Sequence, residues 1–176
     1  MNGVLRHALL ALLAEEPRSG YDLTQIFDRT LGHAWSARHS QIYPELARLR
    51  DAGLIRQVGA GPRDRKLYEA TDEGRAEVRR WLTDEEPDQT FRNEAILRTF
   101  FLWLLPLEER RAFLKAERAR RARLLDEYEE MAKTRVFETA PRLSSRIALE
   151  FGIRYERMFV EWVDWALPRL RELDRD

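Results

Sequence analysis

Read for the spacing of its apolar positions, the chain opens with a helix: Val4, Leu5, Ala8, Leu9, Leu12 and Leu13 share one face, and the pattern stops before Pro17. A second helix is predicted over 19–31, with Leu23, Ile26 and Phe27 inward. A third runs from Ser40, a suitable N-cap, to a stop at Gly53, and Ile42, Leu46 and Leu49 form its apolar stripe. Pro44 is expected at the edge of that helix's first turn, where a missing N–H costs least. The runs 54–58 and 66–70 are short and β-like, and a Gly/Pro/Asp turn separates them, which is the signature of a hairpin. Thr71 then caps a helix through Ala76 and Val78 to about Leu82. Three helices, a hairpin and a helix, in that order, predict a winged helix-turn-helix with a two-stranded wing.

The second half has a different texture. Residues 83–90 hold Asp84, Glu85, Glu86, Pro87 and Asp88 without any period, so they are read as a linker. Residues 91–105 read as a helix with Ile96, Leu97, Phe100, Phe101 and Leu104 inward, and Pro106 starts the next helix near its N1 position. Over 107–136 a long helix carries Phe113, Leu114, Leu124, Leu125, Tyr128 and Met131, with Ala116, Ala119 and Ala122 keeping its middle thin. A last helix over 141–173 repeats Ile147, Phe151, Tyr155, Met158, Trp162, Ala166, Leu170 and Leu173 at three and four residues, widened by Phe159, Trp165 and Leu167.

At about 33 residues that helix would be near 50 Å long, more than a small bundle covers. Its aromatic face is therefore expected to meet a second copy of the chain. Each side chain so buried is worth roughly 1.5–3 kcal/mol, which makes a two-fold homodimer the expected assembly. The residues assigned to it are Ile147, Phe151, Tyr155, Met158, Phe159, Trp162 and Trp165. The fold expected is mainly α: a winged helix-turn-helix over 1–82, a linker over 83–90, and an all-helical dimerisation domain over 91–176.

Composition narrows the chemistry. With 176 residues, 44% of them apolar, and five tryptophans, the chain can bury a core. It has no cysteine, which removes disulfides, thiolate metal sites and cysteine nucleophiles. No run of about 18 apolar residues occurs, and Arg6 and His7 interrupt the first apolar stretch, so neither a membrane span nor a secretory signal is expected and the predicted address is the cytoplasm. His7, His33 and His39 are too scattered for metal spacing, and neither a Gly-rich phosphate loop nor a nucleophile elbow is present. An enzyme is not expected, nor any metal or cofactor.

The 31 basic and 31 acidic residues cancel, so distribution matters more than the sum. Between Ser36 and Lys66, the seven cations Arg38, Arg48, Arg50, Arg56, Arg63, Arg65 and Lys66 face only Glu45, Asp51 and Asp64. The excess of four sits where a winged helix meets DNA. A second basic run, Lys115, Arg118, Arg120, Arg121 and Arg123, reads more simply as a solvated helix face in which Glu117 and Arg121 form an i,i+4 pair.

The third helix turns its small residues Ser40, Pro44 and Ala47, with Asp51, away from the apolar stripe, and that lets a backbone approach a groove floor. Arg38 and His39 lead into it. Ser40, Gln41 and Tyr43 lie near its N-terminus, where N–H groups and hydroxyls reach phosphates or base edges. Tyr43 and Pro44 suit a purely structural role equally well. Arg48 is the expected base reader, through a bidentate pair with guanine. Arg63, Arg65 and Lys66 on the wing hold the backbone or probe the minor groove.

In these residues the chain resembles the PadR family of transcriptional regulators. The resemblance rests on Ser19-Gly20-Tyr21-Asp22-Leu23, on Gln41-Ile42-Tyr43-Pro44 with Leu46 and Leu49, on Gly53-Leu54-Ile55, and on Tyr68 followed by Thr71-Asp72-Glu73-Gly74. It covers residues 3 to about 82 closely, and the rest matches the longer type of PadR C-terminal domain in length and helical character. It implies a dimer on a double-stranded DNA operator and a response to small aromatic compounds, for which Phe101, Trp103, Tyr155 and Trp162 are the candidate residues. Aromatic residues on an apolar stripe are also ordinary core. The competing class is a winged helix that has lost DNA binding and holds another protein, against which the basic wing and the small-residue helix face argue.

Overall fold

The computed structural model describes residues 2–27, 39–61, 64–88 and 92–174. It divides into two compact units, Met1–Asp88 and Gln89–Asp176. The first holds α1 (Asn2–Glu15), β1 (Arg18–Ser19), α2 (Gly20–Ile26), α3 (His39–Asp51), β2 (Ile55–Gly61), β3 (Arg65–Ala70) and α4 (Asp72–Thr83). The second holds α5 (Glu94–Thr99), a 3-10 turn (Leu102–Leu104), α6 (Leu107–Thr134), α7 (Ala140–Ala166) and a closing 3-10 segment (Leu167–Asp174).

In the first unit Leu5, Leu9, Leu10 and Leu13 of α1 meet Leu23 and Phe27, Ile42, Leu46 and Leu49 of α3, Ile55, Ala70, and Val78 of α4. The α3 stripe is the one predicted, and it is buried throughout. The end of α3 follows from backbone geometry. Gly53 sits at φ 72, a left-handed turn that a Cβ would oppose, and this lets Leu54 N–H reach the Leu49 carbonyl while Gly53 N–H reaches that of Arg50. Thr71 then ties three elements together: its hydroxyl donates to the Gly53 carbonyl at 2.9 Å and accepts from Gly74 N–H at 3.1 Å, capping α4.

Three details of this unit differ from the expectations. The sheet has a third strand, since β1 pairs antiparallel with β3 (Arg18 opposite Tyr68, Ser19 opposite Leu67) in the order β1-β3-β2. Two residues have no period to read, and only the tertiary pairing reveals them. Ser40 is not an N-cap, because α3 already includes His39, and Pro44 lies in the second turn rather than at the edge of the first. The predicted second helix is helical over Gly20–Ile26, and the part of it beyond residue 27 lies outside the described residues.

In the second unit α6 and α7 form an antiparallel hairpin. Arg118 pairs with Asp164, Arg121 with Glu156, and Tyr128 packs on Gly152, so positions descend along α7 as they rise along α6. Arg121 thus reaches across to Glu156, and Glu117 pairs with Arg120 instead of forming the expected i,i+4 pair. The core is Ala95, Leu102, Leu114, Phe159, Val163 and Leu170, with Trp162 packed against it.

The helix expected over 91–105 is broken. α5 stops at Thr99, and Leu97, Phe100, Phe101 and Leu104 are exposed rather than inward. The break is held by Arg110, itself buried, which donates to the carbonyls of Leu102, Trp103 and Leu170. A buried cation that donates to three carbonyls around the break stabilises a 3-10 turn that local propensity does not favour. Pro106 precedes α6 as its N-cap.

Candidate nucleic-acid interface

Burial along α3 separates two faces. Ile42, Glu45, Leu46 and Leu49 are buried, whereas Ser40, Gln41, Tyr43, Pro44, Ala47, Arg48 and Asp51 are exposed. The exposed set is the groove-facing set expected from the sequence, with no bulky aliphatic side chain among its members. Burial of Glu45 is the exception to the pattern, and it is matched by Arg48, whose guanidinium donates to it at 2.8 Å. Arg48 itself remains 60% exposed, so the expected base reader stands on the open face with one terminal nitrogen held by a carboxylate.

The exposed rim of α3 turns into a cleft of about 350 Å³ that it shares with the start of α2 and with β3. Its walls include the aromatic rings of Tyr21, Tyr43 and Tyr68 together with the cations Arg50, Arg65 and Lys66. Tyr43 enters because Gly20 leaves room: a Cβ at Gly20 would fall 2.7 Å from the Tyr43 ring. The ring is thus packed on α2 along one edge and 47% exposed along the other, a structural anchor with an open phenol edge.

Arg65 is aimed from the wing. Its guanidinium lies 3.9 Å from the centre of the Tyr21 ring, a cation–π contact that takes up some of its rotamer freedom before any ligand arrives. Tyr21 is kept in place by the turn before it. Ser19 and Asp22 form a capping box, in which the Ser19 hydroxyl and N–H donate to the Asp22 carboxylate at 2.7 and 3.0 Å and Asp22 N–H returns to the hydroxyl. The Ser19 hydrogen bonds hold the Asp22 carboxyl below its usual range, and the charges of Arg65 and Arg18 add to this. Tyr21 and Tyr68 are not among the site residues expected from the sequence, and Arg50 is expected only as a member of the basic window. The Ser19-Gly20-Tyr21-Asp22 motif is the available signal, but that Tyr21 lies under Arg65 depends on β1 joining the sheet.

Other expected site residues fall elsewhere. Arg38 and Arg63 lie outside the described residues. Arg56 is matched across the hairpin by Glu69, and Arg50 by Asp51. In the C-terminal unit, Ile147, Phe151, Met158 and Trp165 are exposed on α7, Tyr155 and Trp162 are partly buried, and Phe159 is buried in the unit's own core, edge-on to Trp162. Of the four candidate effector residues, Tyr155 lines a cleft of this unit, whose walls do not include Phe101, Trp103 or Trp162. Among the described residues no three His, Asp or Glu side chains gather as a metal site, and no helix is long and apolar enough to cross a membrane.

Comparison with known proteins agrees with this geometry. Residues 9–80 match the family model of the transcriptional regulator PadR-like family, and residues 91–171 match that of the virulence activator alpha C-terminal domain. The negative transcriptional regulator PadR of Bacillus subtilis is 35% identical over 95% of this chain and 97% of its own. The crystal structure of that protein with operator DNA superposes with a TM-score of 0.86 at 32% identity, covering 95% of this chain and 99% of the other. Its structure with p-coumaric acid superposes with a TM-score of 0.83 at 31% identity, covering 96% and 99%.

Proposed function

The chain belongs to the PadR-like family of transcriptional regulators, and from that premise we propose that it is a homodimeric repressor of an inverted-repeat operator, released by a small aromatic compound. It is a DNA-binding regulator and not an enzyme. The observation that carries the operator reading is the exposed face of α3, free of large aliphatic side chains and continuous with a cleft edged by Arg50, Arg65 and Lys66. A helix with such a face enters the major groove, and cations at its flank neutralise phosphates. Residues 1–82 supply this interface in the proposal, with Arg48 reading a base and Arg65 and Lys66 holding the backbone.

Dimerisation is assigned to residues 91–176. Ile147, Phe151, Met158 and Trp165 lie within about 40° of one another around α7, given 100° per residue, and all are at least half exposed. A contiguous apolar stripe of this kind marks a protein–protein interface. Two α3 helices related by a two-fold axis then enter successive grooves about 34 Å apart. The repressor sense and the aromatic effector follow the Bacillus subtilis relative, a negative regulator with solved structures holding operator DNA and p-coumaric acid. The place of action is the cytoplasm, where the DNA is.

A gel shift of the full chain against fragments of its own genome tests the proposal. One fragment containing an inverted repeat should shift well ahead of the rest, and replacing Arg65 and Lys66 by alanine should abolish the shift. If no fragment is preferred, the chain is a winged-helix interaction module and not an operator reader.

A further inference from the structure

The arginines of α3 and the wing are held in two different ways. Arg48 is paired with Glu45, Arg50 with Asp51 and Arg56 with Glu69, so each of these spends donors and charge on a carboxylate. Arg65 is in no such pair among the described residues. Its guanidinium lies instead 3.9 Å from the centre of the Tyr21 ring.

The two modes differ in what they leave for a ligand. A carboxylate fixes an arginine by neutralising it, and an incoming phosphate has to displace that partner. An aromatic ring fixes the guanidinium through its quadrupole and leaves the positive charge and all of the N–H donors available. Rotamer freedom is then given up before the ligand arrives, which lowers the ordering cost of binding. Asp22 lies within Coulombic reach of Arg65, but one of its oxygens already accepts from the Ser19 hydroxyl and N–H at 2.7 and 3.0 Å. The capping box keeps that oxygen from competing for the arginine.

Backbone pairing brings the two side chains together. Arg18 lies opposite Tyr68 and Ser19 opposite Leu67, and the same register carried two residues further brings Tyr21 to the level of Arg65, where β3 begins. Arg65 is itself anchored across the hairpin, opposite Gly61 of β2. Tyr21 is 43% exposed and belongs to no core cluster, so core packing does not call for an aromatic ring at this position. The contact with Arg65 does.

We propose that Tyr21 is a positioning residue for DNA binding, whose ring holds the Arg65 guanidinium ready for a backbone phosphate without neutralising it. Tyr21 acts through Arg65 and not by a DNA contact of its own. The inference deepens the operator reading and rests on that reading for the placing of Arg65 at the DNA backbone.

Affinity of the full chain for its preferred genomic fragment tests it, in Tyr21→Leu, Tyr21→Phe, Arg65→Ala and the double variant Tyr21→Leu/Arg65→Ala. A cation–π contact at a partly exposed site is equivalent to a factor of about 2–5 per chain, so Tyr21→Leu should lose about tenfold when two chains share one operator. Tyr21→Phe restores the ring and should recover most of that loss. The double variant should bind no worse than Arg65→Ala alone, because the second change removes what the first one acts through. Full affinity in Tyr21→Leu, a Tyr21→Phe chain as weak as Tyr21→Leu, or losses that add in the double variant each overturns the proposal. Melting of each variant checks the fold. Should Tyr21→Leu melt lower, proton NMR of the unaltered free chain decides: the Arg65 δ-protons should be displaced by the ring current of Tyr21, and undisplaced resonances overturn the proposal. A loss in Arg65→Ala with none in Tyr21→Leu refutes the positioning role alone, whereas full affinity in Arg65→Ala refutes the operator reading of the wing and the positioning role with it.

Discussion

Arg48 has one guanidinium for two partners, Glu45 and, in the proposed complex, a base. In the free protein it donates to Glu45, a pair that is open to water on the arginine side. Exposed pairs of this kind are worth about 0.2–1 kcal/mol, while a bidentate contact to guanine gives about 1–3 kcal/mol of discrimination. On the proposed reading the base contact outweighs the pair, so Glu45 restrains Arg48 without withholding it. Arg48→Ala is expected to relax preference at one base pair per half-site, read by competition among operator variants. If discrimination survives at every position, Arg48 only positions the helix. Arg65 and Lys66 are proposed to act differently, because phosphate contacts carry no sequence. Each removed contact should flatten the slope of log affinity against log salt by about 0.9. An unchanged slope in Arg65→Ala would take the wing off the DNA.

Asp22 lies within Coulombic reach of Arg65, and its ionisation gives a pH signature. Its pKa is depressed in the folded chain, first by the Ser19 hydrogen bonds and then by Arg65 and Arg18. A depressed carboxyl stabilises the fold at pH values above its ordinary pKa of about 3.9, and this contribution is lost as pH falls through the lowered value. Asp22→Ala should cost about 1 kcal/mol at neutral pH through loss of the capping box. The melting difference between the two proteins should close below about pH 4. A difference that stays flat into acid would mean that the charge on Asp22 has no part in the box.

At the scale of elements, α7 has two apolar faces, and they predict opposite failures. Ile153, Phe159 and Val163 are buried on one face, while Ile147, Phe151, Met158 and Trp165 are exposed on the other, about 150° away around the axis. Phe159→Ala should cost about 3–5 kcal/mol and lower the urea midpoint of the whole C-terminal unit. Trp165→Asp should leave circular dichroism and secondary structure intact but shift light-scattering mass from dimer to monomer. A Trp165→Asp chain that remains a dimer places the interface elsewhere.

The same helix shows how far the sequence can be read. α1, α3, the hairpin and α4 follow from period, cap and turn residues, and the structure places them at or near the expected positions. On α7 the period announces an amphipathic helix, but both of its faces are apolar, so counting cannot decide which one turns inward, and Phe159 belongs to the core rather than to the exposed set it is expected to join. Ile153 and Val163 escape the sequence reading for the same reason. The break after Thr99 is invisible in the sequence because Arg110, eight residues beyond Leu102, is what holds it. In the DNA face, the spacing along α3 is enough to assign Ser40, Gln41, Tyr43 and Arg48 to the open side. Tyr21 and Tyr68 need the pairing of β1 with β3, a contact across about fifty residues of chain.

For the whole molecule, the two units divide the work: one carries the cationic cleft and α3, the other the exposed apolar stripe. On the proposed reading neither suffices alone, since a single half-site contact lacks the effective concentration that linkage to its two-fold mate supplies. A chain ending at Leu82 should therefore bind a full operator far more weakly than the intact protein, and without cooperativity. The most direct test is a hydroxyl-radical footprint on the preferred genomic fragment, with the number of chains per site measured by light scattering of the complex. Two chains are expected on a two-fold symmetric site, with protected patches about one helical turn apart and both lost in Arg65→Ala/Lys66→Ala. A single chain on a single asymmetric patch, or protection indifferent to sequence, would contradict a dimeric operator reader.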